Sequence, residues 1–148
     1  MQLRIDGKTA FAYSAAHDID PGRRTIVFVH GAGLDHSWWG LQSRYFGYHG
    51  CNVLALDLPG HGRSEGPPIV TIEEMADWVA KVLHEQKIKT ASVVGHSMGA
   101  LAAIEFAARY PELRRLQLAA ERGQALAFLF RAPECERESS PAALRVAL

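Results

Sequence analysis

Gly95-His96-Ser97-Met98-Gly99 sets a serine between two glycines, after an apolar run and before an alanine-rich one. A serine hydroxyl attacks a carbonyl carbon only when a base takes its proton. The pentapeptide therefore calls for a base and for donors that hold negative charge on the substrate. The spacing Gly-x-Ser-x-Gly suits a sharp strand-to-helix turn with the serine strained at its apex, and Gly95 and Gly99 let strand and helix pass without Cβ clashes. The Met98 N–H opens the following helix and is expected to hold an oxyanion. A second donor is expected from the loop His30-Gly31-Ala32-Gly33. The Ala32 amide is the first candidate and the Gly33 amide the alternative, because Gly31 and Gly33 let the backbone bend inward. His30 reads as structural, orienting the loop backbone.

A third stretch, Asp57-Leu58-Pro59-Gly60-His61-Gly62-Arg63-Ser64, follows an apolar run. Asp57 at a strand end invites the role of catalytic acid. The better reading is that Asp57, Arg63 and Ser64 fix a tight loop around Gly60 and Gly62 through side-chain to backbone bonds.

These stretches need elements to position them. Asp6-Gly7 between two short strand-like runs predicts an opening hairpin. Residues 25–30, 52–57 and 91–95 are continuous apolar runs, as in strands buried on both faces. Residues 36–46 predict a short helix with Ser37 as N-cap. Thr71 and Glu74 form a capping-box pattern, and Ile72, Met75, Ala76, Val79 and Leu83 recur at helical spacing. Residues 98–110 predict a helix with a Glu105–Arg109 pair, stopped by Pro111. Residues 113–118 read as one more strand. The alternation predicts an α/β fold with a mostly parallel sheet of about six strands and helices on both faces. Residues 119–148 change character, with a helix-like run at 119–130 and then loop or disorder.

The chain has 148 residues, enough for one domain, and its 16 basic and 16 acidic residues cancel. Basic residues form only the doublets Arg23-Arg24 and Arg114-Arg115, so nucleic acid is not an expected partner. Cys51 and Cys135 give no disulfide framework, which suits a reducing compartment. Neither a signal peptide nor a membrane span is read, so a cytoplasmic location is expected. No cofactor or metal is called for.

Together, residues 25–39, 52–64 and 93–112 resemble the N-terminal half of an α/β-hydrolase fold enzyme, similar to serine esterases and lipases. The likeness covers residues 1–118 and leaves 119–148 as a divergent tail. It implies that Ser97 is the nucleophile, that the Met98 and Ala32 amides form the oxyanion hole, and that the substrate is a small ester or related acyl compound. Serine at the elbow argues against the aspartate-nucleophile dehalogenase and epoxide-hydrolase branches. Esterases, lipases and C–C bond hydrolases stay open.

In that family the order along the chain is serine, then acid, then histidine. Here the seven histidines, His17, His30, His36, His49, His61, His84 and His96, all stand before Ser97. His36 and His61 lie in loops at the same end of the sheet and are the upstream candidates for a substitute base. The change near residue 113 is read as a shifted frame or interrupted coding sequence, giving a fold without the C-terminal strands and helices and a weakly active or inactive chain. In that reading Val27, Val29 and Val93 lack cover, and the uncovered sheet drives self-association. The alternative is a non-catalytic fragment or interaction module using the same surface.

Overall fold

The computed structural model describes residues 1–15 and 18–110. Strands β1 (Gln2–Ile5) and β2 (Lys8–Tyr13) form the hairpin predicted from Asp6-Gly7. Both turn residues have positive φ, 49° and 76°. That is the type I′ geometry whose twist matches a two-residue hairpin. The three apolar runs become β3 (Thr25–Val29), β4 (Asn52–Asp57) and β5 (Ser92–Gly95). The described residues form one five-stranded sheet in the order β1-β2-β4-β3-β5. β2 joins β4 antiparallel, while β4, β3 and β5 run parallel. The expected strand at 113–118 and the tail at 119–148 lie outside the described residues.

Alternation along the central strands builds two cores. Val27 and Val29 of β3, Leu54 and Leu56 of β4 and Val93 of β5 face α2 (Ile72–Glu85) and α3 (Met98–Arg109), meeting Met75, Val79, Leu83, Ala102, Ala103 and Phe106. Phe28, Val53, Ala55 and Val94 point the other way, against Trp39 and Phe46. Helices thus cover both faces, as the α/β pattern requires. The expectation that Val27, Val29 and Val93 lack cover is overturned. They are at most 1% exposed, because they point toward α2 and α3.

Helix α2 begins as Thr71 and Glu74 predict, with the Thr71 hydroxyl accepting the Glu74 N–H at 3.2 Å. The segment after β3 differs from expectation. It opens as a 3-10 helix over His36–Trp39 and continues as α1, Gly40–Tyr48. Its N-cap is Asp35, not Ser37. The Asp35 carboxylate accepts the Ser37 N–H at 2.8 Å, and its extended backbone is that of a cap residue. Two cap-forming types stand two positions apart, and Ser37 already lies inside the helix, where its own amide is the donor that Asp35 caps. At its far end α3 is tied to α2, since Asp77 accepts from the Tyr110 hydroxyl at 2.6 Å and from Arg109 at 3.1 Å. Arg109 also lies 3.8 Å from Glu105, the predicted i,i+4 partner. No helix among the described residues is long and apolar enough to cross a membrane.

Candidate active site

β5 ends at Gly95 and α3 starts at Met98, so the chain reverses within two residues. Ser97 takes the reversal at φ 53° and ψ −120°, a conformation that costs a non-glycine residue about 1–3 kcal/mol. The glycines make room for it. A Cβ on Gly95 would collide with the Gly99 carbonyl, and one on Gly99 would stand 2.6 Å from the His30 carbonyl oxygen. The His96 N–H donates to the Val29 carbonyl at 3.1 Å, tying the turn to the end of β3. Ser97 is exposed, and its hydroxyl has no hydrogen bond among the described residues.

The loop after β3 comes up beside it. A Cβ on Gly31 would lie 3.2 Å from the Ser97 Cβ and 2.9 Å from His96 Nδ1, so only a glycine permits this approach. Residues 31–34 form a turn closed by the Leu34 N–H on the Gly31 carbonyl at 3.2 Å. Gly33 sits at its third position with φ 70°, the site where a type II turn needs glycine. The turn bond leaves the Ala32 and Gly33 amides unused. Met98, as the first helical residue, likewise has an N–H without an intrahelical acceptor.

His30 is fully buried. Its Nε2 accepts the Leu58 N–H at 3.1 Å, which fixes Nδ1 as the protonated nitrogen, donating to the Gly31 carbonyl at 2.7 Å. One neutral imidazole thus joins the loops after β3 and β4. Burial pushes its pKa below the usual value, against smaller opposing effects of the Gly31 carbonyl, Asp57 and Asp35. The Asp57 side chain is also fully buried. Oδ1 accepts the His36 N–H at 2.7 Å and His36 Nδ1 at 2.8 Å, and Oδ2 accepts the Arg63 N–H at 2.8 Å. The Ser64 hydroxyl donates to the Asp57 carbonyl at 2.6 Å and accepts the Phe11 N–H at 2.9 Å. A Cβ on Gly62 would overlap the Asp57 carboxylate, while Gly60, at φ 75°, lies against Pro68.

The upstream histidines are not gathered at Ser97. His36 packs on Phe11 and Tyr13 of β2, and β4 and β3 separate β2 from β5. His61 leans on the His30 ring, 5.0 Å between centroids, with Nδ1 near the Pro59 carbonyl. Among the described residues no histidine hydrogen-bonds Ser97. The His36–Asp57 pair was not foreseen; two polar residues at ends of elements that meet at one sheet edge were its only signal. Asp35, His36 and Asp57 bring potential ligand atoms within 4.8 Å of one another. Asp57 already spends both oxygens on N–H donors and Asp35 caps the 3-10 helix, so hydrogen bonding accounts for the trio.

A family model described as "Alpha/beta hydrolase family" matches residues 26–146. The chain belongs to the alpha/beta hydrolase family. The match extends past residue 118. This family member is 31% identical over 100 residues to the (E)-2-((N-methylformamido)methylene)succinate hydrolase of Acinetobacter baylyi, covering 66% of this chain and 38% of that protein. It is 36% identical over 103 residues to a 2-hydroxy-6-oxononadienedioate/2-hydroxy-6-oxononatrienedioate hydrolase of Paraburkholderia phymatum, covering 65% and 35%. The enol-lactonase from Burkholderia xenovorans superposes with a TM-score of 0.69 at 28% identity, over 78% of this chain and 45% of that one. The chain thus spans less than half the length of each of these relatives.

Proposed function

We propose that Ser97 is the nucleophile of a serine hydrolase acting on a carboxylic ester or related acyl substrate. The observation that carries this is Ser97 itself: strained, exposed and without a structural bond among the described residues, against Gly31 of a glycine loop. In the reaction Ser97 Oγ bonds to the substrate carbonyl carbon while its proton passes to a base. The negative charge gathers on the carbonyl oxygen, where the Met98 and Ala32 amides, with Gly33 as the alternative to Ala32, hold it. Collapse expels the protonated leaving group and leaves an acyl-serine, which water hydrolyses. His30 and Asp57 act here as positioning residues that fix the loops flanking the site.

No base for Ser97 stands out among the described residues. His30, His36 and His61 are engaged elsewhere, and the sequence holds no histidine after His96. On the described residues alone, catalysis is limited to what oxyanion donors and binding supply without a working triad. Among the relatives, one name carries a succinate and another a dienedioate, so a small carboxylate-bearing acid derivative is the substrate class this reading favours. Two cysteines without a disulfide framework support a cytoplasmic site of action. The alternative of an interaction module loses its main support, since Val27, Val29 and Val93 are covered.

A fluorophosphonate probe read by mass spectrometry tests the nucleophile. Slow labelling at Ser97, absent from Ser97→Ala, is expected. Labelling that persists unchanged in Ser97→Ala refutes the assignment.

A further inference from the structure

The loop after β3 and the helical segment that follows it frame an open recess of about 490 Å³ whose walls include Gly33, Leu34, Asp35, Trp38, Leu41 and Arg44. Two contacts relate it to Ser97. Gly33 belongs to the turn that begins at Gly31, the residue against Ser97. The Trp38 indole packs on the imidazole of His96, next to Ser97 in the chain, with ring centroids 4.9 Å apart. Ser97 is not part of the lining, and the Gly33 and Trp38 end of the recess is the one linked to the elbow.

Its walls are graded. Trp38 is 51% exposed and Leu41 73%. Trp38, Leu41 and Arg44 recur every third residue, so they share one face of the helical segment. Arg44 stands about 5 Å farther along the axis than Leu41, at 1.5 Å rise per residue. Its Nε donates to the Gly40 carbonyl at 3.2 Å. That bond steadies the guanidinium and leaves its two terminal nitrogens as donors. No carboxylate of the described residues pairs with it. The other charged wall, Asp35, lies at the loop end with Oδ1 on the Ser37 amide. An anionic group is thus repelled near the glycine loop and attracted at the far end, with indole and isobutyl surface between.

We propose that this cavity binds the remote end of the substrate, and that this end carries a free carboxylate held by Arg44 after an apolar stretch lying on Trp38 and Leu41. The assignment rests on Ser97 being the reacting group, since that fixes which end of the substrate enters the cavity. Arginine suits the task because its planar fork matches a carboxylate with two parallel hydrogen bonds.

The test uses the full chain with monomethyl adipate, which carries one carboxylate, and dimethyl adipate, which carries none. Tryptophan emission reports binding, because Trp39 and Trp78 are buried and Trp38 is not. Monomethyl adipate is expected to quench emission saturably, and at least tenfold more tightly than the diester. Arg44→Gln, an exposed change checked for folding by circular dichroism, is expected to erase that preference, and Arg44→Lys to restore part of it. Trp38→Phe is expected to remove the quench, while calorimetry still detects weakened binding. Equal affinity for the two esters in the wild type, or a preference that survives Arg44→Gln, overturns the subsite. So does a quench that survives Trp38→Phe. Fluorophosphonate labelling separates the two claims. A carboxylate preference without any labelling of Ser97 overturns the nucleophile and leaves the carboxylate site standing. Labelling without the preference overturns the subsite alone.

Discussion

The loops after β4 and β5 reach the same end of the sheet and are held there by opposite means. The β4 loop is held by polar side chains: Asp57 accepts from His36 and Arg63, and Ser64 bonds the Phe11 amide and the Asp57 carbonyl. The β5 loop is held by side chains that are missing. Gly95 and Gly99 bring backbone within a distance no Cβ permits, Gly31 leaves room for the His96 and Ser97 side chains, and the one polar side chain at the apex, Ser97, bonds to nothing described. A buried carboxylate that is fully bonded is spent on structure. A strained, exposed hydroxyl with no structural work is held in place for something else. The contrast separates Asp57 from Ser97 although both sit at strand ends in glycine-rich loops.

The largest effect expected from breaking that contrast is at Gly99. Gly99→Ala forces a methyl onto the Val29 and His30 carbonyls, and at least about 3 kcal/mol of stability is lost, read as the urea midpoint. Asp57→Ala comes next. It strands the His36 and Arg63 amides in a buried site at about 1–3 kcal/mol each. If the variant unfolds at the wild-type urea midpoint, the carboxylate is not what holds the β4 loop. Ser97→Gly goes the other way. Relief of the positive φ outweighs the entropy glycine adds to the unfolded chain, so the protein gains about 1 kcal/mol, while Ser97→Ala stays within about 0.5 kcal/mol of wild type. A loss of stability in Ser97→Gly shows that the hydroxyl does structural work after all.

The smallest effect is a pH slope from His30, which joins the β4 loop to the loop after β3. Its folded pKa lies below the ordinary 6.5, because burial disfavours the charged ring. The unfolded chain then binds more protons between the two values, so the His30 contribution is whole above pH 6.5 and is lost as pH falls through the folded pKa. Urea midpoints measured from pH 7.5 to 5 are expected to fall, and less steeply in His30→Gln. Equal slopes remove His30 as the link between the loops.

Much of this was legible along the chain because its causes are local. Asp6-Gly7 specifies a hairpin turn by backbone preference alone, and Thr71 caps α2 three residues from its partner. The glycines of 95–99 mark a reversal that no other residue type fits. The Asp35 cap was misplaced because Ser37 offers similar chemistry nearby. The cover over Val27, Val29 and Val93 was misjudged for a different reason. A strand buried on both faces shows no polar alternation, so nothing in it says which helices lie over which side chains.

By itself, then, the sequence determined the order of elements, the turn chemistry and a serine set where a helix begins. These follow from φ preferences and periodicities acting over a few residues. Only the tertiary structure decided that Gly31 stands against Ser97, that His30 bridges to Leu58 across 28 positions, that His36 belongs to Asp57, and that Trp38 packs on His96. Those contacts depend on the strand order β2-β4-β3-β5, which brings distant loops to one edge, and spacing along the chain carries no record of it.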